Sequence, residues 1–136
     1  MSALRTLLLG LAWSLATAVV PAQAGEAAPA AALAGEFHLD GVMETGSGLR
    51  LQEDGTFEWY FSYGALDLYA RGRWSPAGDG VDLVPTEFQA PPQYPQGRFS
   101  RMHLRQDGAD LVPSWPWDMD DFRKGVERGS YDRIDE

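Results

Sequence analysis

The residues of this chain whose types could do chemistry are two histidines, a run of aspartates beside two tryptophans, and several carboxylates near arginines. His38 and His103 are its only histidines. Imidazole is a common metal ligand and a general base near neutral pH. His38 lies between Phe37 and Leu39, and His103 between Met102 and Leu104, so alternation puts both on the polar side of a strand. They make a weak metal site, with Asp40, if their strands are neighbours; two unrelated surface side chains are the expectation. "SWPWDMDD" (114–121) sets Trp115 and Trp117 beside Asp118, Asp120 and Asp121. Indole faces edged by carboxylates suit a sugar or peptide platform. The competing reading is that the tryptophans plug one end of the fold. Counted from Asp118, a calcium loop would need glycine at its sixth position, where this chain has Arg123, which excludes an EF-hand. Glu44, Glu53 and Asp54 sit near turns, and Glu58 and Asp67 share a polar face with Arg71 and Arg73. Acid–base catalysis needs a carboxyl in a partly dry cleft, so exposed ion pairs are the better expectation. No Gly-x-Ser-x-Gly elbow and no glycine-rich phosphate loop before a helix is present. The sequence predicts no catalytic group, no metal centre and no cofactor.

Bulk properties narrow the classes further. There is no cysteine, which rules out thiol catalysis, thiol redox chemistry and cysteine-bound metals. Asp and Glu number 20 against 11 Lys and Arg, for a net charge of −9. Such a field repels phosphate backbones, so nucleic acid is not an expected partner. The chain opens with Arg5, the run "TLLLGLAWSLATAVV" and Ala22-Gln23-Ala24. A positive start, a short apolar stretch and a small-x-small site read as a secretory signal peptide cut after Ala24. A membrane anchor would need roughly 20 apolar residues, and no cysteine follows the cut to carry lipid. The expectation is a periplasmic or secreted protein with no membrane span once the peptide is removed. Residues 25–34 then form a flexible Ala-rich leader, and residues 35–136 a single β-domain. Without disulfides, such a domain is held by burial alone.

The elements that must position these residues follow from a period of two. Strands are predicted at 36–41, 47–52, 56–62, 66–75, 80–85, 97–106 and 109–113. Turn lengths can be tested by parity, because a one-residue slip moves every side chain to the other face. A three-residue loop at Glu53-Asp54-Gly55 pairs Leu51 with Phe57 and Leu49 with Trp59, keeping the apolar side chains together. Across "SYGA" the parity pairs Phe61 with Leu66, Trp59 with Leu68 and Phe57 with Ala70. It carries on through Trp74 to Val81 and Leu83. One face thus collects Leu49, Leu51, Phe57, Trp59, Phe61, Leu66, Leu68, Ala70, Trp74, Val81 and Leu83. The opposite face holds Arg50, Glu58, Tyr60, Asp67, Tyr69, Arg71, Arg73 and Asp82.

A second unit, "MHLRQDG", echoes "LRLQEDG", and a turn at Asp107-Gly108 pairs Leu104 with Leu111. Between the units "PTEFQAPPQYPQG" holds four prolines and reads as a long crossing loop. In the tail, Asp118 or Asp120 could cap a short helix carrying Phe122 and Val126, or residues 121–126 could add a last strand; a short helix or irregular ending is the leaning. The fold class predicted is all-β: an antiparallel up-and-down meander closing into a small barrel or curled sheet.

The run "SGLRLQEDGTFEWYFSYGALDLYARGRW", with its L-x-L-x-x-D-G-x-F form and later G-x-W, resembles small exported bacterial proteins with lipocalin-like half-barrels. The N-terminal domain of the copper-homeostasis envelope lipoprotein is one relative in style, and short secreted proteins sharing "GxFEWxxSYGAxD" are others. The resemblance spans residues 35 to about 85 and implies a lipocalin-like barrel. That lipoprotein carries a lipid-attached cysteine and a Cys-x-x-Cys pair, which this chain lacks, so the signalling role does not transfer.

Function is then expected to be non-enzymatic: an exported β-domain that binds a small apolar ligand or an envelope partner. Trp59, Phe61, Leu68 and Trp74 would line a cup with Tyr63 at its rim, unless bulky side chains simply fill the interior. The alternative is an interaction module that uses Tyr60, Tyr69, Trp115 and Trp117, with an enzyme a distant third. An interior without space favours the interaction module.

Overall fold

The computed structural model describes residues 32–93, 97–117, 119–125 and 128–135. The predicted signal peptide lies outside the described residues. Alternation of apolar and polar side chains produces eight strands: β1 (Gly35–Asp40), β2 (Thr45–Leu51), β3 (Thr56–Tyr63), β4 (Leu66–Ala77), β5 (Gly80–Gln89), β6 (Met102–Asp107), β7 (Asp110–Pro113) and β8 (Ser130–Arg133). Each pairs antiparallel with the next, and β8 returns to β1, closing an up-and-down barrel. Closure leaves the meander without a free first or last edge. The predicted apolar face turns inward as one core, with Leu66 partly buried against it.

Hairpin registers show where parity was sufficient and where it was not. The β2–β3 loop has three residues, Leu51 pairs with Phe57, and Gly55 takes φ 86°, as predicted. The β3–β4 and β6–β7 registers differ from expectation by two residues. Tyr63 pairs with Leu66, Phe61 with Leu68 and Trp59 with Ala70; Leu104 pairs with Pro113 rather than Leu111. A two-residue shift keeps every side chain on its face, so alternation alone does not detect it. The turns themselves fix it: Gly64, Gly78 and Gly108 each stand first in a two-residue loop with φ of 56°, 54° and 60°. A positive φ at that position is where glycine serves a tight hairpin.

The proline-rich crossing lies later in the chain than predicted, between Gln89 and Met102. Pro85–Gln89 continue β5, because a bulge between Arg71 and Gly72 lets the strand pass Thr86 and resume pairing at Glu87. The extra residue reverses parity, so Phe88 rather than Glu87 faces inward. Gly72 permits the bulge, since a Cβ there would land on the Val84 carbonyl oxygen and the Pro85 Cα. β6 begins at Met102 rather than residue 97, and Phe99 from the approach is buried in the core.

The tail supplies both a helix and a strand. Helix α1 (Met119–Arg123) occupies the first half of the stretch offered as an alternative last strand, and Gly125 ends it with φ 78°. Asp118 and Val126 lie outside the described residues. The eighth strand comes later, at Ser130–Arg133. At the opposite end of the barrel Leu33 packs into the core, and the Arg133 guanidinium donates to the carbonyls of Ala34 (2.8 Å) and Ala32 (3.1 Å). The last residues of the predicted leader therefore belong to the packed domain.

Candidate functional site

The four side chains expected to line a cup all point into the barrel, and they fill it. Trp59 meets Phe61 at 5.9 Å, Phe88 at 6.0 Å and Phe99 at 5.2 Å between ring centroids. Phe57, Trp59, Leu83 and Tyr131 each keep 1% or less of their accessible surface, so no void wide enough for water touches them. Leu68 is also buried, and Trp74 plugs the end nearest Leu33 with its Nε1 donating to the Gln52 carbonyl at 2.8 Å. Tyr63 alone stays outside, at the far end of β3.

Polar groups inside the core form one closed chain. Trp59 Nε1 donates to Tyr131 Oη at 2.8 Å, Tyr131 Oη lies 2.6 Å from Ser47 Oγ, and Ser47 donates to the Tyr60 carbonyl at 2.5 Å. Because the serine proton is committed to Tyr60, the tyrosine proton goes to Ser47. Burial holds the Tyr131 phenol well above its ordinary value of 10.0, although its hydrogen bonds with Ser47 and Trp59 oppose the shift. The chain ties β2, β3 and β8 together.

An apolar part of the described surface lies at the end where β1, β3, β5 and β7 finish. Phe61 in the core meets Trp115 edge-on at 5.5 Å, and Trp115 stacks on Trp117 at 5.5 Å with planes 13° apart. Trp115 is the predicted plug: it is buried, and its Nε1 donates to the Arg128 carbonyl at 2.8 Å. Trp117 is 45% exposed. These rings and Val42, Met43 and Gly129 line an open cleft of about 400 Å³. Met43, in the β1–β2 turn, is 86% exposed. Two non-glycine residues have positive φ among the described residues, Trp115 (41°) and Glu44 (58°). One lines this cleft and the other follows Met43 in the turn that borders it. Such backbone costs about 1–3 kcal/mol per residue and gathers at working sites. Sequence reading found the tryptophans but missed Val42 and Met43. Their signal was an apolar pair, "VM", inside a turn where polar residues are usual.

The outer wall holds exposed ion pairs, but Glu58 pairs with Arg50 and Asp67 accepts from Ser62, so neither joins Arg71 or Arg73 as the sequence grouped them. Arg50 meets Glu36 at 2.6 Å and Glu58 at 3.7 Å, and Arg71 pairs with Glu87. Tyr60 and Tyr69 are cross-strand partners on the same wall. The histidines are not brought together: His38 is on β1 and His103 on β6, which are not neighbours. His103 instead sits between two carboxylates, with Nδ1 2.7 Å from Asp82 and Nε2 2.6 Å from Asp79. Carboxylates at both ring nitrogens favour the imidazolium form, which can donate to each. Burial lowers its affinity for the proton, but the bonds to Asp79 and Asp82 outweigh that and hold it above its ordinary value. Phe122 of α1 lies edge-on to His103 at 6.4 Å and under the Arg105 guanidinium at 5.6 Å. This cluster fastens the tail to the wall. Comparison with protein-family models, curated proteins and solved structures returns no match.

Proposed function

We propose that this chain is an exported, non-enzymatic β-barrel that binds an envelope protein at its tryptophan-lined end. The observation that carries the reading is the aromatic series Phe61–Trp115–Trp117, which runs from the core to a half-exposed indole beside an open methionine. Tryptophan and methionine are enriched where proteins meet, and exposed Trp anchors dominate binding energy. Methionine adds a flexible surface that fits irregular partners. The packed interior supports a surface site over a cup for a ligand. Export rests on the signal-peptide pattern of residues 1–24.

The test is a photo-crosslinking residue at position 117 or 43, expressed with the full leader. A protein adduct from the envelope fraction is expected, reduced at least tenfold when the other position becomes alanine. Both side chains are exposed, so the fold survives either change. Adducts spread evenly over control positions such as Glu53 would refute the site, and recovery of the chain from the cytoplasm alone would refute export. A small molecule released on denaturation, and absent from Trp117→Ala, would favour the ligand reading at the same cleft.

A further inference from the structure

The outer wall carries a belt of alternating charge, one residue per strand: Glu36, Arg50, Glu58, Arg71 and Glu87 on β1 to β5. Opposite charges across strands support one another, but here the pairing is uneven. Arg50 lies close to Glu36 at 2.6 Å and farther from Glu58 at 3.7 Å. Arg71, the cross-strand partner of Glu58, is engaged with Glu87. Glu58 therefore has the loosest hold on a cation in the belt.

Directly beside Glu58 the wall is notched. Gly48 has no side chain, so the Tyr60 ring from the next strand lies over it, and His38 is its neighbour on the other side. Beside that ring a notch of about 310 Å³ is walled by His38, Arg50, Tyr60, Tyr69 and Ile134 and edged by Glu36 and Glu58. Tyr60 is 47% exposed. Two phenol rings beside a weakly paired carboxylate are the elements of a cation site, since a cation near a ring face and a carboxylate gains from both. Two carboxylates share one arginine here, and the whole chain has a net charge of −9, so the local and overall fields favour a cation. We infer that the notch beside Tyr60 receives one arginine or lysine side chain of a basic partner segment, which pairs with Glu58 and lies against Tyr60 and Tyr69.

This site is on the barrel wall, separate from the tryptophan cleft, and it can fail or hold independently of that reading. The probe is a short acetylated Gly-Arg-Gly amide peptide, with citrulline in place of arginine as its uncharged counterpart. Titration is followed by NMR of the tyrosine rings. Saturable shifts of Tyr60 and Tyr69 are expected, with the citrulline peptide at least tenfold weaker. Glu58→Gln should lose most of the affinity, whereas Glu53→Gln, the same charge change in the β2–β3 loop, should not. Gly48→Ala gives a second, charge-neutral variant. Its Cβ would come within 2.5 Å of Tyr60 Cε1, an exposed ring that can swing aside and occupy the notch. A tenfold loss is expected there too. Equal binding of the citrulline peptide, or equal losses from Glu53→Gln and Glu58→Gln, would overturn the assignment, as would unchanged affinity in Gly48→Ala.

Discussion

Tyr131→Phe removes a single oxygen from the middle of the core, and the structure gives the cost. The Tyr131 hydroxyl accepts from Trp59 Nε1 at 2.8 Å and donates to Ser47 Oγ, 2.6 Å away. Ser47 keeps its own bond to the Tyr60 carbonyl, so its loss is small. The Trp59 N–H is left with no acceptor in a position closed to water. An orphaned buried donor costs about 1–3 kcal/mol, and we take about 2 kcal/mol. For a domain of this size each kcal/mol moves Tm by about 4–8 °C, so Tm should fall by about 8–16 °C. Calorimetry of wild type, Tyr131→Phe, Ser47→Ala and the double variant measures the chain as a unit. The double variant should lose less than the sum, because the tyrosine–serine bond is counted in both single changes. Alkaline titration gives a second reading. The folded protein keeps Tyr131 neutral while the unfolded chain ionises near 10.0. Its contribution is fully present below that pH and is lost as pH rises above it, because the folded state then holds the extra proton. Wild type should lose stability above pH 10.0 more steeply than Tyr131→Phe. A Tyr131→Phe variant within about 0.5 kcal/mol of wild type would refute the reasoning, since surface-like changes fall in that range.

His103 should titrate above the ordinary imidazole value of 6.5, and Asp82→Asn should bring it down. Its stabilising contribution is present below 6.5 and lost as pH rises through the folded value, with ring resonances followed by NMR. Over that rise the contact of Phe122 with the ring should loosen, read as a change in the Phe122 signals. Phe99→Ala should cost about 3–5 kcal/mol, because Phe99 stands edge-on to both Trp59 and Phe88 at 5.2 Å. Urea unfolding monitored by tryptophan fluorescence checks it, and a loss below 1 kcal/mol would mean that the core closes over the gap.

Alternation made the inner face legible from Leu49 to Leu83, because a half-buried strand cannot hide which side is apolar. Registers were legible only modulo two, since Gly64 and Gly108 decide them through a backbone angle that leaves no trace in the polar pattern. The inward turn of Phe88 escaped because the bulge at Thr86 reverses parity, and "PTEF" gave proline rather than a strand as its loudest signal. β8 was hidden for another reason. Tyr131 is its one fully buried side chain, and a strand with a single inward residue has no period to detect. At the candidate site, the aromatic pair Trp115 and Trp117 was visible, but their division into plug and exposed face depends on the left-handed turn at Trp115. Met43 enters only because the β1–β2 turn folds to the same end.

Closure by so short a final strand raises the question of what holds it. β3 and β4 share eight register pairs and β5 and β6 four, whereas the one pair described between β7 and β8 is Leu111 with Tyr131. Side-chain bonds concentrate where the ladder is thin. The Arg133 backbone N–H donates to Asp110 Oδ1 at 2.9 Å, its Nε donates to the Ala109 carbonyl at 3.3 Å, and its guanidinium lies 4.7 Å from the centre of the Phe37 ring. One residue thus pins β8 to the β6–β7 turn, to β1 and to the chain before it. Local opening follows the weakest cooperative unit rather than the whole barrel. Arg133→Gln should therefore speed amide exchange in β7 and β8 by about tenfold, for a loss near 1.4 kcal/mol, while the amides of β3 and β4 keep their wild-type protection. If every strand lost protection equally, the seam would not be a separate unit, and the closure would depend on the shared core alone.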